Sequence, residues 1–294
     1  MKVLCFGSLN IDYTYSVDHF VMKGETLFAN DLKNYCGGKG LNQATSLAKA
    51  GLDTYMAGAI GKEGAFLVEE LNKFNVNTDY VKVLDTINSG HAIIQNDKSG
   101  DNCIMVYHGA NYEITNEQVD EVLSNFNEND VMVLQNEINN MAYIITEAHK
   151  KGIYIVLNPS PLTEELLAYP LDLVDLFVVN EVEAAQLLQS NENPVMLIPQ
   201  LQKRLNTCVL TLGEKGSVFI SKEDIIYQDA YKVDTVDTTG AGDTFMGYFL
   251  AYFLNHKSVR EALEIASKAS AIAVTRKGAS VAIPYKEEVE NTTL

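Results

Sequence analysis

Residues 131–157 read VMVLQNEINNMAYIITEAHKKGIYIVL, and the order of apolar and polar positions in this stretch sets the fold class. Val131 to Leu134 is a short strand with no polar interruption. Met141 to Lys151 has helical spacing and stops at Gly152, and Ile153 to Leu157 is a second apolar strand. Strands that are apolar throughout are buried on both faces, as in a parallel sheet covered by crossover helices. The alternation extends upstream: Val3 to Phe6 is a strand opening onto Gly7-Ser8, and Leu41 to Ala50 a helix ending at Gly51. Thr54 to Ile60 is a strand, and Ala65 to Phe74 an amphipathic helix. Downstream, the strand Leu176 to Val179 is followed by a helix over Val182 to Leu188. The rhythm then changes. Cys208 to Leu212, Ser217 to Ile220 and Ile225 to Gln228 read as three strands joined by short turns, ahead of helices over Asp243 to Asn255 and Val259 to Arg276. The expected class is α/β: a three-layer sandwich around a mostly parallel central sheet.

Two stretches break this pattern. Residues 11–36 and 89–108 carry alternating segments without a helix between them, and the second turns at Asp97-Lys98-Ser99-Gly100. They are expected to form a small β lid, leaving residues 1–10, 37–88 and 109–294 as the main domain. The other placement for them is the edge of the main sheet. The formal net charge of −17 leaves no basic stripe for nucleic acid or for an anionic membrane surface. No apolar run is long enough to span a bilayer, and the amino-terminal one is too short for a signal-peptide core. Cys5, Cys36, Cys103 and Cys208 are widely spaced and read as free thiols, which fits the cytoplasm.

Five segments carry candidate chemistry. In Asp237-Thr238-Thr239-Gly240-Ala241-Gly242-Asp243, small residues lead into a helical run, so backbone N–H groups and a helix N-terminus converge on one point suited to phosphate. Asp243 reads equally as a proton acceptor for an attacking hydroxyl or as an N-cap. Cys36-Gly37-Gly38-Lys39-Gly40-Leu41-Asn42-Gln43-Ala44 allows close backbone approach to a ligand, or is a Gly-rich turn before a surface helix. It is not a Walker A loop, because Gly follows the lysine. Asn180-Glu181-Val182-Glu183 follows an apolar strand, where open α/β sheets bind ligands. There Glu183 suits hydrated Mg²⁺, and Asn180 equally suits a helix cap. Thr211-Leu212-Gly213-Glu214-Lys215-Gly216 is a strand and a Gly-bounded turn. Ala273-Val274-Thr275-Arg276-Lys277-Gly278 ends a helix whose free carbonyls favour a cation or simply a glycine cap.

In this order the five segments resemble the PfkB family of ribokinase-like carbohydrate kinases, nearly end to end. The resemblance implies the ribokinase-like fold, ATP as co-substrate, Mg²⁺, an activating K⁺ and a homodimer formed through the lid. Gly7-Ser8-Leu9-Asn10-Ile11-Asp12 is similar to the family's opening segment, so Asn10 and Asp12 are implied sugar ligands, with Gly38, Lys39, Asn42 and Glu137. Asp243 is the implied catalytic base, with Gly240, Ala241 and Gly242 as anion hole. Asn180, Thr211, Leu212, Gly213, Glu214, Lys215, Gly216 and Gly242 are implied ATP contacts, and Glu183 the Mg²⁺ residue. Asp237, Thr239, Ala273, Arg276 and Gly278 are the implied K⁺ ligands. Ala282 stands where the family pattern has a serine, and Leu41 replaces a smaller residue and is expected to narrow the sugar pocket. The implied reaction is phosphorylation of the primary hydroxyl of a free sugar, D-ribose first. Deoxyribose, another sugar, a nucleoside or a non-catalytic sensor are the alternatives. No G-x-G-x-x-G follows the first strand, which excludes the usual dinucleotide fold.

Overall fold

The computed structural model describes residues 1–294. Its first part runs β1 (Val3–Phe6), β2 (Asn10–Ser16), β3 (Asp31–Gly37), α1 (Lys39–Lys49), β4 (Thr54–Gly61), α2 (Ala65–Lys73), β5 (Asn77–Leu84), β6 (Gly90–Asn96), β7 (Asn102–Tyr107) and α3 (Asn116–Leu123). The middle holds β8 (Val131–Gln135), α4 (Met141–Lys150), β9 (Tyr154–Asn158), β10 (Leu176–Asn180), α5 (Glu181–Leu187) and α6 (Pro194–Arg204). The last part is β11 (Thr207–Thr211), β12 (Ser217–Ser221), β13 (Ile225–Gln228), α7 (Ala241–Phe253), α8 (Val259–Val274) and α9 (Lys286–Asn291).

Nine strands form one sheet in the order β13-β12-β11-β10-β9-β8-β1-β4-β5. From β5 to β11 every pairing is parallel; β12 and β13 are added antiparallel, as the short turns between them require. Alternate residues of each strand serve opposite cores. Val3 and Cys5 of β1 pack with α1, α2, α7 and α8, whereas Leu4 and Phe6 pack with α3, α4, α5 and α6. That division makes the three layers, and it explains why β1 carries no polar position.

β2, β3, β6 and β7 form a separate four-stranded sheet, ordered β3-β2-β6-β7. β2 and β6 pair in parallel; the outer pairs are antiparallel. These segments are not edge strands of the main sheet. Ile104 to Tyr107 of β7 are each at least half exposed, so this edge strand presents apolar side chains on both of its faces.

Leu41 corrects an expectation. It is fully buried in the core beneath α1 and narrows no pocket. A Leu47→Ala substitution in the same core should cost about 2–5 kcal/mol. Urea unfolding monitored by circular dichroism checks this, and a loss below about 1 kcal/mol would show that the site relaxes around the gap.

Candidate active site

Polar residues emerge side by side where the parallel strands end. Ser8 follows β1, Gln135 and Glu137 close β8, Asn158 closes β9, Asn180 closes β10 and Thr211 closes β11. Asn180 and Thr211 are register partners, as are Gln135 and Asn158. This is the sheet edge at which open α/β folds bind ligands.

The first half of the site is built on β2 and α1. Gly37 lies under the Asp12 carboxylate, which a Cβ at that position would strike. Gly38 has φ +92°, a conformation that favours glycine, and it passes the chain into α1. Lys39 and Asn42 are thereby placed next to Glu137 and Asp243. The Glu137 carboxylate accepts from the Ser8 hydroxyl and, at 3.0 Å, from the Lys39 amide. Burial works against the Lys39 charge, but Asp243, Glu137 and Glu183 outweigh it and hold the ammonium above its ordinary pKa. Asn10 is oriented by Asn111. The Leu9 amide donates to Asn111 Oδ1 at 3.1 Å, so Asn111 Nδ2 donates to Asn10 Oδ1 at 2.7 Å. The amide NH₂ of Asn10 is left as the group available to a ligand.

α7 supplies the centre. Its cap is Gly240, in the left-handed region at φ +73°, so Asp243 is the third residue of the helix and not its cap. The Ala241 amide turns back to the Thr238 carbonyl at 3.2 Å, and the Thr244 amide bonds the Gly240 carbonyl at 2.8 Å. Gly242 and Asp243 carry the remaining first-turn donors, and the space beside Gly242 is open. The buried Asp243 carboxylate accepts from Gln43 Nε2 at 2.9 Å and lies 3.5 Å from Asn42 Nδ2.

Behind it lies a cavity of about 770 Å³ walled by Thr211, Gly213, Glu214, Lys215, Gly216 and Gly242. Lys232, Ser267 and Ser270 also line it and were not singled out from sequence, because they lie in unpatterned or helical stretches. Leu212 is not part of it: its amide closes the turn onto the Gly216 carbonyl at 2.8 Å. Asn180 caps α5 in a reciprocal capping box with Glu183. Asn158 Nδ2 lies 3.4 Å from the Glu183 carboxylate.

A third cluster joins the α7 approach to the chain after α8. Asp237 accepts from the Thr239 amide and hydroxyl at 2.9 and 2.7 Å and from the Gly278 amide at 2.9 Å. Burial opposes its charge, but these donors prevail and hold Asp237 below the usual carboxylate range. The helix ends at Val274, earlier than expected, and the Ala273 carbonyl already accepts the Arg276 amide at 3.0 Å. The Arg276 guanidinium points away to Glu288.

No group of three or more His, Cys, Asp or Glu side chains gathers to cage a metal. No helix is long and apolar enough to cross a membrane.

Known proteins resemble this chain along nearly its whole length. The family described as pfkB family carbohydrate kinase matches residues 1–286. The ribokinase of Staphylococcus aureus (strain COL) is 34% identical over 309 aligned residues, covering 98% of each chain. The deoxyribokinase of Salmonella typhi is 31% identical, covering 98% of this chain and 97% of its own. The crystal structure of ribokinase from Cryptococcus neoformans var. grubii serotype A in complex with ADP superposes with a TM-score of 0.88 at 30% identity, covering 98% of both chains.

Asp12 allows a test of the site's electrostatics. Burial, and then the charge of Glu137, raise its pKa from 3.8 to about 7. A raised carboxyl pKa contributes stability below pH 3.8 that is lost as pH rises through about 7. Asp12→Asn should therefore be more stable than wild type above about pH 7, with the difference closing toward pH 4. Thermal unfolding across that range checks it; a constant difference would show that Asp12 titrates normally.

Proposed function

Because the chain belongs to the pfkB family of carbohydrate kinases and is an ATP-dependent sugar kinase, we propose that D-ribose is its acceptor and Asp243 its general base. The observation that supports this reading is the place of Asp243. It stands on the first turn of α7, between Asn42 and Gln43 on one side and, through its neighbour Gly242, the 770 Å³ cavity on the other. A hydroxyl held by Asn10, Asp12, Gly38, Lys39, Asn42 and Glu137 is presented to that carboxylate. ATP enters the cavity against Thr211 to Gly216, with Asn180 beside them.

Asp243 takes the hydroxyl proton as the oxygen attacks the γ-phosphorus in line. The anion hole, assigned to Gly240, Ala241 and Gly242, draws its open donors from the first turn of α7, at the positive end of the helix. Mg²⁺ neutralises phosphate charge when bound, and Glu183 fits an outer position for it. Its oxygens are oriented by Asn180 and Asn158, and hydrated Mg²⁺ needs only one or two protein carboxylates. The ionised Asp237, with Thr239, Ala273, Arg276 and Gly278, fits a K⁺ site through carboxylate and carbonyl oxygens. Ala282 offers no hydroxyl to it and is buried.

The four-stranded sheet is assigned as a lid, residues 11–36 and 89–108, that closes over the sugar and excludes water from the transfer. Its exposed Leu32, Tyr35 and Ile104 to Tyr107 suit a homodimer interface. Sedimentation equilibrium should give twice the chain mass, and an Ile104→Asp, Val106→Asp double variant should give one. A wild-type monomer would remove this assignment. The free thiols accord with a cytoplasmic enzyme.

Deoxyribose is the second reading, favoured by the likeness to the Salmonella deoxyribokinase. ADP release measured with ATP and Mg²⁺ against ribose, 2-deoxyribose, fructose, nucleosides and fructose 6-phosphate, in K⁺ and then Na⁺, separates them. Ribose should give the highest kcat/KM, with K⁺ above Na⁺. A higher value for another acceptor transfers the assignment to it, and equal rates in both salts remove the K⁺ site. Asp243→Asn should lower kcat more than about a hundredfold with sugar binding retained. A smaller loss would show that the base lies elsewhere.

A further inference from the structure

Asp243 does not stand free in its pocket. Gln43 Nε2 donates to its Oδ1 at 2.9 Å, while Asn42 Nδ2 is 3.5 Å from its Oδ2. A side-chain amide can present either its NH₂ or its oxygen, so the contact supports the carboxylate only if something fixes which end faces it. Two backbone carbonyls, which can only accept, do so.

On one side the Val178 carbonyl takes Asn158 Nδ2 at 2.9 Å. This turns Asn158 Oδ1 toward Gln43 Nε2, 3.3 Å away. On the other side the Gly40 carbonyl takes the Cys5 thiol at 3.3 Å, leaving the sulfur lone pairs to Gln135 Nε2 at 3.5 Å. The same NH₂ reaches Gln43 Oε1 at 2.7 Å. Gln43 is thus held from both ends with its NH₂ toward Asp243. Gln135 Oε1 is left buried without a partner, and a Cβ at Gly7 would strike it.

We propose that Gln43 is the positioning residue of the base. It occupies Oδ1 and turns Oδ2 to the acceptor sugar. This rests on the assignment of Asp243 as base. In the transfer step the sugar O–H bond breaks and its proton goes to Oδ2. The oxygen's electron pair forms the bond to the γ-phosphorus, and ADP leaves with the electrons of the broken P–O bond. Because Asn158 also reaches Glu183, the base and the phosphate-side carboxylate are oriented in one frame.

The test is steady-state kinetics of Gln43→Met and Asn158→Ala beside Asp243→Asn, with thermal unfolding of each. Gln43→Met removes the donor at similar volume. It should lower kcat about tenfold to a hundredfold, the scale on which misplaced reacting groups act. Sugar KM should move less than about threefold, since uniform binding is untouched. Asn158→Ala removes one of the two supports of the Gln43 amide, leaving the Gln135 contact, and should lower kcat in the same direction by less. If Gln43→Met does not fold, the kcat-against-KM split of Asn158→Ala decides alone. Unchanged kcat, or a raised KM alone, with Asp243→Asn inert overturns the role of Gln43 and leaves the base in place. An active Asp243→Asn overturns the base, and this inference with it.

Discussion

The site depends on how closely the start of α1 approaches the turn after β1. A Cβ on Gly40 would sit 2.5 Å from the Ser8 nitrogen and 2.6 Å from the Gly7 carbonyl carbon. No side chain fits there, and the backbone cannot yield without breaking the bond from the Leu41 amide to the Ser8 carbonyl at 3.0 Å. Because the gap closes, Lys39, Asn42 and Gln43 lie over the ends of strands that they do not follow in sequence. The Ser8 hydroxyl, wedged between the Gly40 amide and Glu137, extends the contact to β8. Glycine composition thus becomes backbone proximity, and proximity sets the electrostatics of the pocket.

Those electrostatics are unusual for a site that must receive phosphate. The chain carries a net charge of −17, and Asp243, Glu137 and Glu183 all act on Lys39. Cations are scarce, so the proposed anion hole relies on backbone N–H groups at the start of α7. Lys215 and Lys232 supply positive charge only along the cavity wall. Fixed dipoles suit this arrangement because they add no net charge to compete with the carboxylates proposed to hold the sugar.

Much of the architecture could be read from apolar periodicity, because strands buried on both faces leave an unbroken signal. Elements without that signal were missed. β5 is an edge strand with Asp79 and Lys82 on it, and α6 holds Pro199 inside its span, which argues against a helix until tertiary packing outweighs it. α3 carried a legible cue, Thr115 three residues before Gln118, and the Thr115 side chain does accept the Gln118 amide. At the site, the Gly-rich segments stood out because their backbone demands are written in composition, whereas the roles proposed for Lys39, Asn42 and Asp243 came from the family resemblance. Gln43, Asn111 and Asn158 were passed over as ligands or supports, since an amide in a helix or at a strand end has no local signature. Their meaning arises only when β1, β8, β9 and α7 converge.

The halves of the site come from opposite ends of the chain. The groups proposed to hold the sugar, Asp243 apart, lie between Asn10 and Glu137, whereas the cavity wall begins at Thr211 and Asp243 comes later still. Lys49 then ties α1 to the carbonyls of Ser280 and Ile283 at 3.0 and 2.9 Å, and Tyr248 reaches the Pro284 carbonyl at 2.7 Å. A ribosome therefore delivers the groups proposed to hold the sugar before the proposed proton acceptor. Until the stretch through Pro284 has left the exit tunnel and locked onto α1, the growing chain lacks the assembled site on which the proposed transfer depends.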